Sequence, residues 1–498
     1  MAARVFPPRK LLKSFGNCYF FSRPFNSSSS SPSSSSISIN HNTQKLESII
    51  QKQPPPTNTD TSLNLHDVEK IFSSVPTTKL LRASANLHFA AMESMVDFGM
   101  WVMNSKLMNI EVFRDMVLGV VKHTFYEHFC GGEDALATGD TVRRLHRGGD
   151  GLRVMLDYSV ECVSDNQSCD RNLEAFLHTV EIAKSLPPSS VSFVIVKISA
   201  ICPMNLLERV SDLLRWQHKN PSFNLPWKLD TLPILSSISP TYHTLQRPEP
   251  LTLDEEHDLQ LAHQRLLKIC QKCLEANVPL TIDAEHTPVQ PAIDYFTYSS
   301  AIMYNRDDNI IIYGTIQAYL KDAKERLLLV TKAVEKMGVP MGFKLVRGAY
   351  MSYERKLASS LGFGSPIHNS IQETHACYDD CASFMLEKIA NGPGALVLAT
   401  HNVESGKKAV AKAHDLGVKK VNRKLEFAQL YGMSEALSFG LRNAGFQVSK
   451  YMPFGSMEIV IPYLLRRAEE NRGPLSALTL DRQLIRKELK RRLKATAF

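Results

Sequence analysis

The chain has 498 residues, 44% of them hydrophobic and 22% charged, which is globular composition with room for one large domain and additions. Six basic residues (Arg4, Arg9, Lys10, Lys13, Arg23, Lys45) precede the first acid, Glu47, so without residues 1–46 the formal +8 becomes 52 bases against 50 acids, about +2. That excludes a general nucleic-acid surface, and the lack of an apolar run of about 18 residues excludes a spanning helix.

The first 46 residues are basic, acid-free and Ser-rich, with a tract from Ser27 to Ser36 broken only by Pro32, as in an organellar transit peptide. Low complexity continues to Pro54-Pro55-Pro56, so residues 1–60 are expected to be leader and disordered segment. Residues 61–148 read as a helical N-terminal region: Asp67 to Phe72, Thr78 to Val102 and Ile110 to Phe129, with a break at Gly131-Gly132 and no catalytic motif.

From residue 149 to the end, short apolar runs alternate with amphipathic ones. Eight runs read as strands: Leu152–Tyr158, Val191–Ile198, Val278–Ala284, Ile310–Gln317, Gly342–Val346, Ala395–Thr400, Lys424–Leu430 and Gln447–Met452. Helical patterns such as Glu174–Lys184, His263–Glu275, Lys321–Lys336, Asp379–Ala390 and Lys407–Leu416 fill the gaps. Eight β-then-α units predict a closed (βα)8 barrel. A doubly wound sheet is the alternative, but no Gly-rich phosphate turn follows any of the runs. The gap from Cys202 to Asn277 is long and Pro-rich, and reads as an insertion.

Chemistry in such a barrel belongs at the C-terminal strand ends. Polar residues recur there: Lys197, Asp283 and Glu285, Gln317, Arg347 and Tyr350, Thr400-His401-Asn402, Glu426 and Gln429, and Tyr451. Either a ligand or a shared polar network lies inside the ring. Beyond the last strand, Tyr463, Arg466, Arg467 and Glu470 stand at i, i+3, i+4 and i+7 on one helical face. Two adjacent guanidinium groups suit bidentate capture of a small carboxylate or phosphate; an ordinary exposed Arg466–Glu470 pair is the bland reading. The nine scattered cysteines show no set of four ligands at zinc spacing, so free thiols and no metal are expected.

The segments Phe343-Lys-Leu-Val-Arg-Gly-Ala-Tyr350, Leu396-Val-Leu-Ala-Thr-His-Asn402, Glu426-Phe-Ala-Gln-Leu-Tyr-Gly-Met433 and Tyr463-Leu-Leu-Arg-Arg-Ala-Glu-Glu-Asn471 resemble proline dehydrogenase over roughly residues 131–493. The Ser-rich leader makes the chain similar to the mitochondrial enzyme of a plant. The resemblance implies a distorted (βα)8 TIM-like barrel with an N-terminal helical extension, in which FAD accepts a hydride from L-proline to give Δ1-pyrroline-5-carboxylate. Electrons would pass to a quinone or another membrane acceptor, on the matrix side and in peripheral contact with the inner membrane.

The resemblance also implies residue roles. Arg466 and Arg467 would clamp the proline carboxylate with Glu470 ion-paired behind them. Tyr451, Tyr463 and Leu345 would wall the ring, and Lys197 and Asp283 would pair beside carboxylate and amine. Gln317 would bond the flavin ring, while Arg347, Gly348, Ala349, Thr400, His401, Asn402 and Glu426 would line the rest of FAD. Lys344 stands where many bacterial members carry an Arg toward the flavin, and keeps the charge without the planar fork. Tyr451 occupies a position that is smaller in the hydroxyproline-using branch. A Schiff-base lyase using Lys197 and a non-catalytic binding protein are the competing readings. Finally, Leu484, Ile485, Leu489 and Leu493 form one stripe of a basic C-terminal helix, expected either to pack or to meet anionic lipid.

Overall fold

Eight parallel strands close into a barrel in the order β1 to β8. The structure, a computed structural model, describes residues 63–496 apart from 64, 91, 150, 308, 419–423 and 471–477, so the expectation for residues 1–60 lies outside the described residues. The strands are β1 (Arg153–Tyr158), β2 (Val191–Val196), β3 (Leu280–Ile282), β4 (Ile312–Gln317), β5 (Gly342–Val346), β6 (Ala395–Ala399), β7 (Leu425–Leu430) and β8 (Val448–Phe454). All eight coincide with the apolar runs read from the sequence, because strands covered on both faces must be apolar nearly throughout.

Before the barrel come α1 (Val68–Phe72), α2 (Thr77–Ala90), α3 (Glu93–Asn104), α4 (Glu111–Val121) and α5 (Ala135–Arg147). The expected single helix from Thr78 to Val102 is two, interrupted before Glu93, and Ile110 to Phe129 widens into a π turn over Lys122–Tyr126. Around the barrel lie α6 (Asn166–Ser185), α7 (Met204–Lys219), α8 (Leu253–Ala276), α9 (Gln290–Tyr304), α10 (Ala323–Met337), α11 (Met351–Ser360), α12 (Ile371–Asn391), α13 (Val403–Asp415) and α14 (Glu435–Asn443). After β8 follow α15 (Met457–Glu470) and α16 (Leu478–Thr496).

The strand period of two separates a helix-facing layer from an inner one. The inner layer packs Met155, Phe193, Ile195, Tyr313, Val397 and Ala428 into a core that plugs the barrel below its mouth. Polar side chains gather only above and below that plug. The insertion is the helix-free stretch 220–252 between α7 and α8. It is stitched to the loop after β3. His243 Nε2 of the insertion lies 2.9 Å from Thr287 Oγ1, and beside it the buried Arg215 guanidinium of α7 donates to the carbonyls of Thr287 (2.5 Å) and Pro288 (2.6 Å). Buried Glu354 on α11 accepts from Thr287 N and Oγ1, each at 2.6 Å. That loop carries Asp283 and Glu285, so the insertion helps hold two acids at the mouth.

The C-terminal helix α16 packs on α1 and α2. Ile485 and Leu489 are buried and Leu493 is exposed, so the stripe is used for its first part only. Arg492 donates to the carbonyls of Phe72 and Val75, and Asp481 accepts from Glu435 N and Ala436 N at the start of α14. Packing therefore employs this helix, as the bland reading expects.

Candidate active site

The C-terminal strand ends carry a buried cluster of alternating charge. Lys197 Nζ donates to Asp157 Oδ1 at 2.8 Å, and Ser159 Oγ donates to Asp157 Oδ2 at 2.8 Å. Lys344 Nζ pairs with Asp283, and Tyr451 Oη donates to the other oxygen of that carboxylate at 2.8 Å. Lys344 also lies 5.2 Å from the Tyr451 ring centroid. Lys197 and Asp283 are thus close in charge but not paired as expected. Each has a nearer partner, since Asp157 projects inward from β1 and Lys344 from β5. Asp157, an acid inside the apolar strand β1, is a site residue that the strand-end reading missed.

Burial alone would lower the Lys197 ammonium, but Asp157, Asp283 and Glu161 outweigh it and hold the group charged. A Schiff-base lysine needs a neutral amine, so this environment argues against the lyase reading.

Helix α15 lies over the mouth. Arg466 donates to both oxygens of Glu161, at 2.6 and 3.2 Å, and its guanidinium carbon sits 5.7 Å from the Tyr350 ring centroid. Arg467 stands 5.1 Å over the buried Tyr463 ring. The expected partner of the Arg pair, Glu470, has a side chain outside the described residues; among the described residues Arg466 pairs with Glu161. Glu161 lies in the loop after β1, where no helix or strand pattern drew attention to it. Burial pushes its carboxyl up to about 7, Lys197 opposing this and Asp157 and Asp283 adding to it. Glu285, which accepts from Ser199 N and Oγ, is likewise pushed up to about 7 by burial, with Glu161 adding to it.

Gln317 ends β4 inside the ring and is 2% exposed, yet its Oε1 has no hydrogen-bond partner among the described residues. A buried amide oxygen without a partner costs about 1–3 kcal/mol unless something else supplies a donor. It fits a heterocycle presenting an N–H. Gly348 has φ +132°, and a Cβ there would meet the Tyr319 ring at 2.5 Å, so only glycine serves in this turn. Ala349 follows it in the same partly exposed turn.

Beside them, Arg347 donates to His375 Nδ1 (2.9 Å), Thr400 Oγ1 (2.7 Å) and Ser405 Oγ (2.8 Å), and stacks 4.3 Å over the Tyr378 ring. Asn402 caps α13, accepting from Ser405 N at 2.9 Å, and its amide nitrogen lies 3.3 Å from His375 Nε2. His401 Nε2 accepts from Leu430 N at 3.0 Å. Burial, with Lys450 and Arg467 nearby, pushes this imidazole down to about 3, so it is neutral. The resemblance groups Arg347, Gly348, Ala349, Thr400, His401, Asn402 and Glu426, and the structure joins Arg347, Thr400 and Asn402 by hydrogen bonds with His401 adjacent in the chain. His375 on α12 was missed, because a lone His in a helical pattern carries no signal.

Two expected residues lie elsewhere. Glu426, second in β7, pairs with Arg153 at the start of β1 (3.0 Å) and accepts from Ser449 Oγ. It therefore sits in the N-terminal layer, below the apolar plug, and is removed from the cofactor-lining set. Leu345 registers with Ile316 and Leu398, whereas its neighbour Lys344 registers with Val397 of the inner core. Strand alternation puts Leu345 on the helix-facing side, so the structure does not bring it to the mouth.

Among the described residues no group of three or more His, Cys, Asp or Glu is placed to hold a metal ion. The profile of one family, proline dehydrogenase, matches residues 139–479. The chain belongs to the proline dehydrogenase family. With it the chain joins the enzymes of proline oxidation, the first step of proline catabolism. It is 59% identical over 445 residues to Proline dehydrogenase 2, mitochondrial, of Arabidopsis thaliana, covering 89% of this chain and 93% of that one. Arabidopsis Proline dehydrogenase 1, mitochondrial, is 60% identical, covering 86% and 87%. Human hydroxyproline dehydrogenase is 31% identical, covering 75% and 82%. Among solved structures, proline utilization A from Bdellovibrio bacteriovorus aligns with TM-score 0.56 at 19% identity, over 86% of this chain and 40% of that one. That last likeness concerns the proline dehydrogenase fold alone.

Proposed function

We propose that this mitochondrial proline dehydrogenase binds FAD in the barrel mouth and oxidises L-proline to Δ1-pyrroline-5-carboxylate beneath α15. The observation that carries the reading is the unpartnered Gln317 amide oxygen inside a ring of paired charges, with Arg466 and Arg467 above it. FAD, when bound, would supply the hydride acceptor that no side chain here provides.

The chain's residues do the rest. Arg466 and Arg467 anchor the substrate carboxylate by charge-assisted hydrogen bonds, Arg466 exchanging Glu161 for it. Tyr463 and Tyr451 wall the ring and exclude water. The Asp283–Lys344–Tyr451 set positions the amine, which must arrive unprotonated to give up a hydride from the adjacent carbon. Gln317 and Lys344 would hold the flavin ring, and the Gly348–Ala349 turn and the Arg347–Thr400–Asn402 group would line its extension. His401 fixes the backbone of β7 beside them.

Electrons then pass to a quinone in the inner mitochondrial membrane, which the enzyme meets peripherally from the matrix side. The mitochondrial relatives and the acid-free leader support the compartment. Anaerobic titration of the purified protein with L-proline tests the core of this: its flavin absorbance should bleach. A colourless protein, or one whose bands ignore proline, overturns it.

A further inference from the structure

The largest run of unburied apolar side chains lies outside the barrel, in the helices before it. Along α3, Met95 is 44% exposed, Phe98 59% and Trp101 60%. Phe98 and Trp101 stand at i and i+3 and stack on each other, with ring centroids 6.0 Å apart. The turn that follows exposes Leu107 and Ile110. Helix α4 then has no buried residue at all, and Val112, Met116 and Val120 form an i, i+4, i+8 stripe that is 81%, 59% and 61% exposed. Single exposed apolar residues are ordinary, but this succession is not.

We infer that α3 and α4 are the surface by which this enzyme enters the lipid of a bilayer, their apolar side chains seated among the headgroups and upper acyl chains. Four observations favour lipid as the occupant. The exposed set mixes Trp and Phe with Met and Val, which suits the graded polarity of a membrane interface. No helix among the described residues is long and apolar enough to cross a membrane, so entry is shallow. Cations lie on the helix pair that leads into α3, where α16 meets α2: Arg482 and Arg486 reach His88 Nδ1 at 2.9 and 3.2 Å, next to exposed Phe89, and Lys487, Lys490 and Lys494 are exposed further along. Helix α3 also packs against α15, which carries Arg466 and Arg467, so a bilayer contacting α3 would lie beside the site mouth.

The inference rests on the membrane-acceptor reading above and gives it a place. It also divides the work. Helices α3 and α4 with the turn between them carry Glu93, Asp97, Glu111 and Asp115 against Lys106 and Arg114, a net −2 that anionic lipid does not attract, so their favourable contribution is apolar. The positive charge comes from α16 and fades within a Debye length.

The test uses the full chain, purified with its flavin, and sedimentation with phosphatidylcholine vesicles with and without cardiolipin. Phe98→Ser combined with Trp101→Ser should lower partitioning roughly tenfold on both vesicles and at high salt, as loss of buried aromatic area requires. Proline oxidation with a soluble dye should stay normal, showing that the variant folds. Trp101 emission in the parent protein should shift blue on vesicles and be lost in Trp101→Phe. Parent-like partitioning of the double variant overturns the inference. If Lys487→Gln with Lys490→Gln abolishes binding while the aromatic variant keeps it, the membrane reading stands and the apolar surface fails. If the parent binds neither vesicle, the membrane reading itself falls. If the aromatic change instead converts a dimer to a monomer with partitioning unaltered, the surface belongs to self-association.

Discussion

Replacing Glu426 with Ala separates a structural carboxylate from a cofactor-binding one. The Glu426 carboxylate is 5% exposed, pairs with Arg153 at 3.0 Å and accepts from Ser449 Oγ. Removing one partner of a buried pair costs about 3–5 kcal/mol. Here Arg153 is 26% exposed and keeps Gln447 Oε1 at 2.8 Å and the Val191 carbonyl at 3.3 Å, so the cost falls to the bottom of that range or just below it, about 2–3 kcal/mol. For a chain of this size each kcal/mol shifts Tm by about 2 °C, so Glu426→Ala should lower Tm by roughly 4–6 °C. Glu426→Gln retains a hydrogen-bonding oxygen and should lose about half as much. Calorimetry reads the shift, while flavin absorbance per polypeptide and the proline kcat/KM should match the parent. A variant with an unchanged Tm but depleted flavin would show that the carboxylate reaches the cofactor, and would refute its placement below the plug.

Three further outcomes follow from the mouth. Arg467→Met removes charge-assisted hydrogen bonds worth about 1.5–3 kcal/mol each, so kcat/KM for proline should drop about ten- to a hundred-fold with flavin retained; unchanged kinetics would take Arg467 out of the substrate clamp. Tyr451→Ser opens the ring wall and releases Asp283 Oδ2, so the preference for proline over 4-hydroxyproline should narrow, and equal turnover of both by the parent protein would contradict this. Buried Glu161 titrates at about 7 against an ordinary 4.5. Between those values the folded protein holds a proton that the unfolded chain has lost, so stability falls as pH rises through that window and levels off above it. Glu161→Gln should remove part of that slope in urea midpoints measured from pH 5 to 7.5, Glu285 keeping a slope of the same sign. Identical slopes in the two proteins would dismiss Glu161 as its source.

The barrel was legible because each strand is apolar for most of its length and bounded by turns, so Leu152–Tyr158 or Gly342–Val346 stand out without any knowledge of their neighbours. The Arg pair was legible as well, since a helical face with two guanidinium groups contradicts its own apolar surroundings. Helix starts were less so: α12 begins eight residues before the expected Asp379, because its first turns are polar and half-buried. Helices α3 and α4 read only as parts of a helical N-terminal region, and their exposure in the fold shows how little of their apolar surface the described residues cover.

What the sequence determined by itself was much of the set of charged residues near strand ends, Lys197, Asp283 and Lys344 among them but not Asp157 or Glu161, because alternation and spacing are properties of one strand at a time. Which of them pair is a property of eight strands at once. Asp157 takes Lys197, Lys344 takes Asp283 and Glu161 takes Arg466 because closure brings β1, β2, β3, β5 and the helix after β8 to one point. The height of Glu426 was readable from β7 alone, since a residue near the start of a parallel strand stands at the N-terminal end of the barrel, but its partner there was not. Only the register of β7 between β6 and β8 sets it beside Arg153 at the bottom and leaves the mouth to the others.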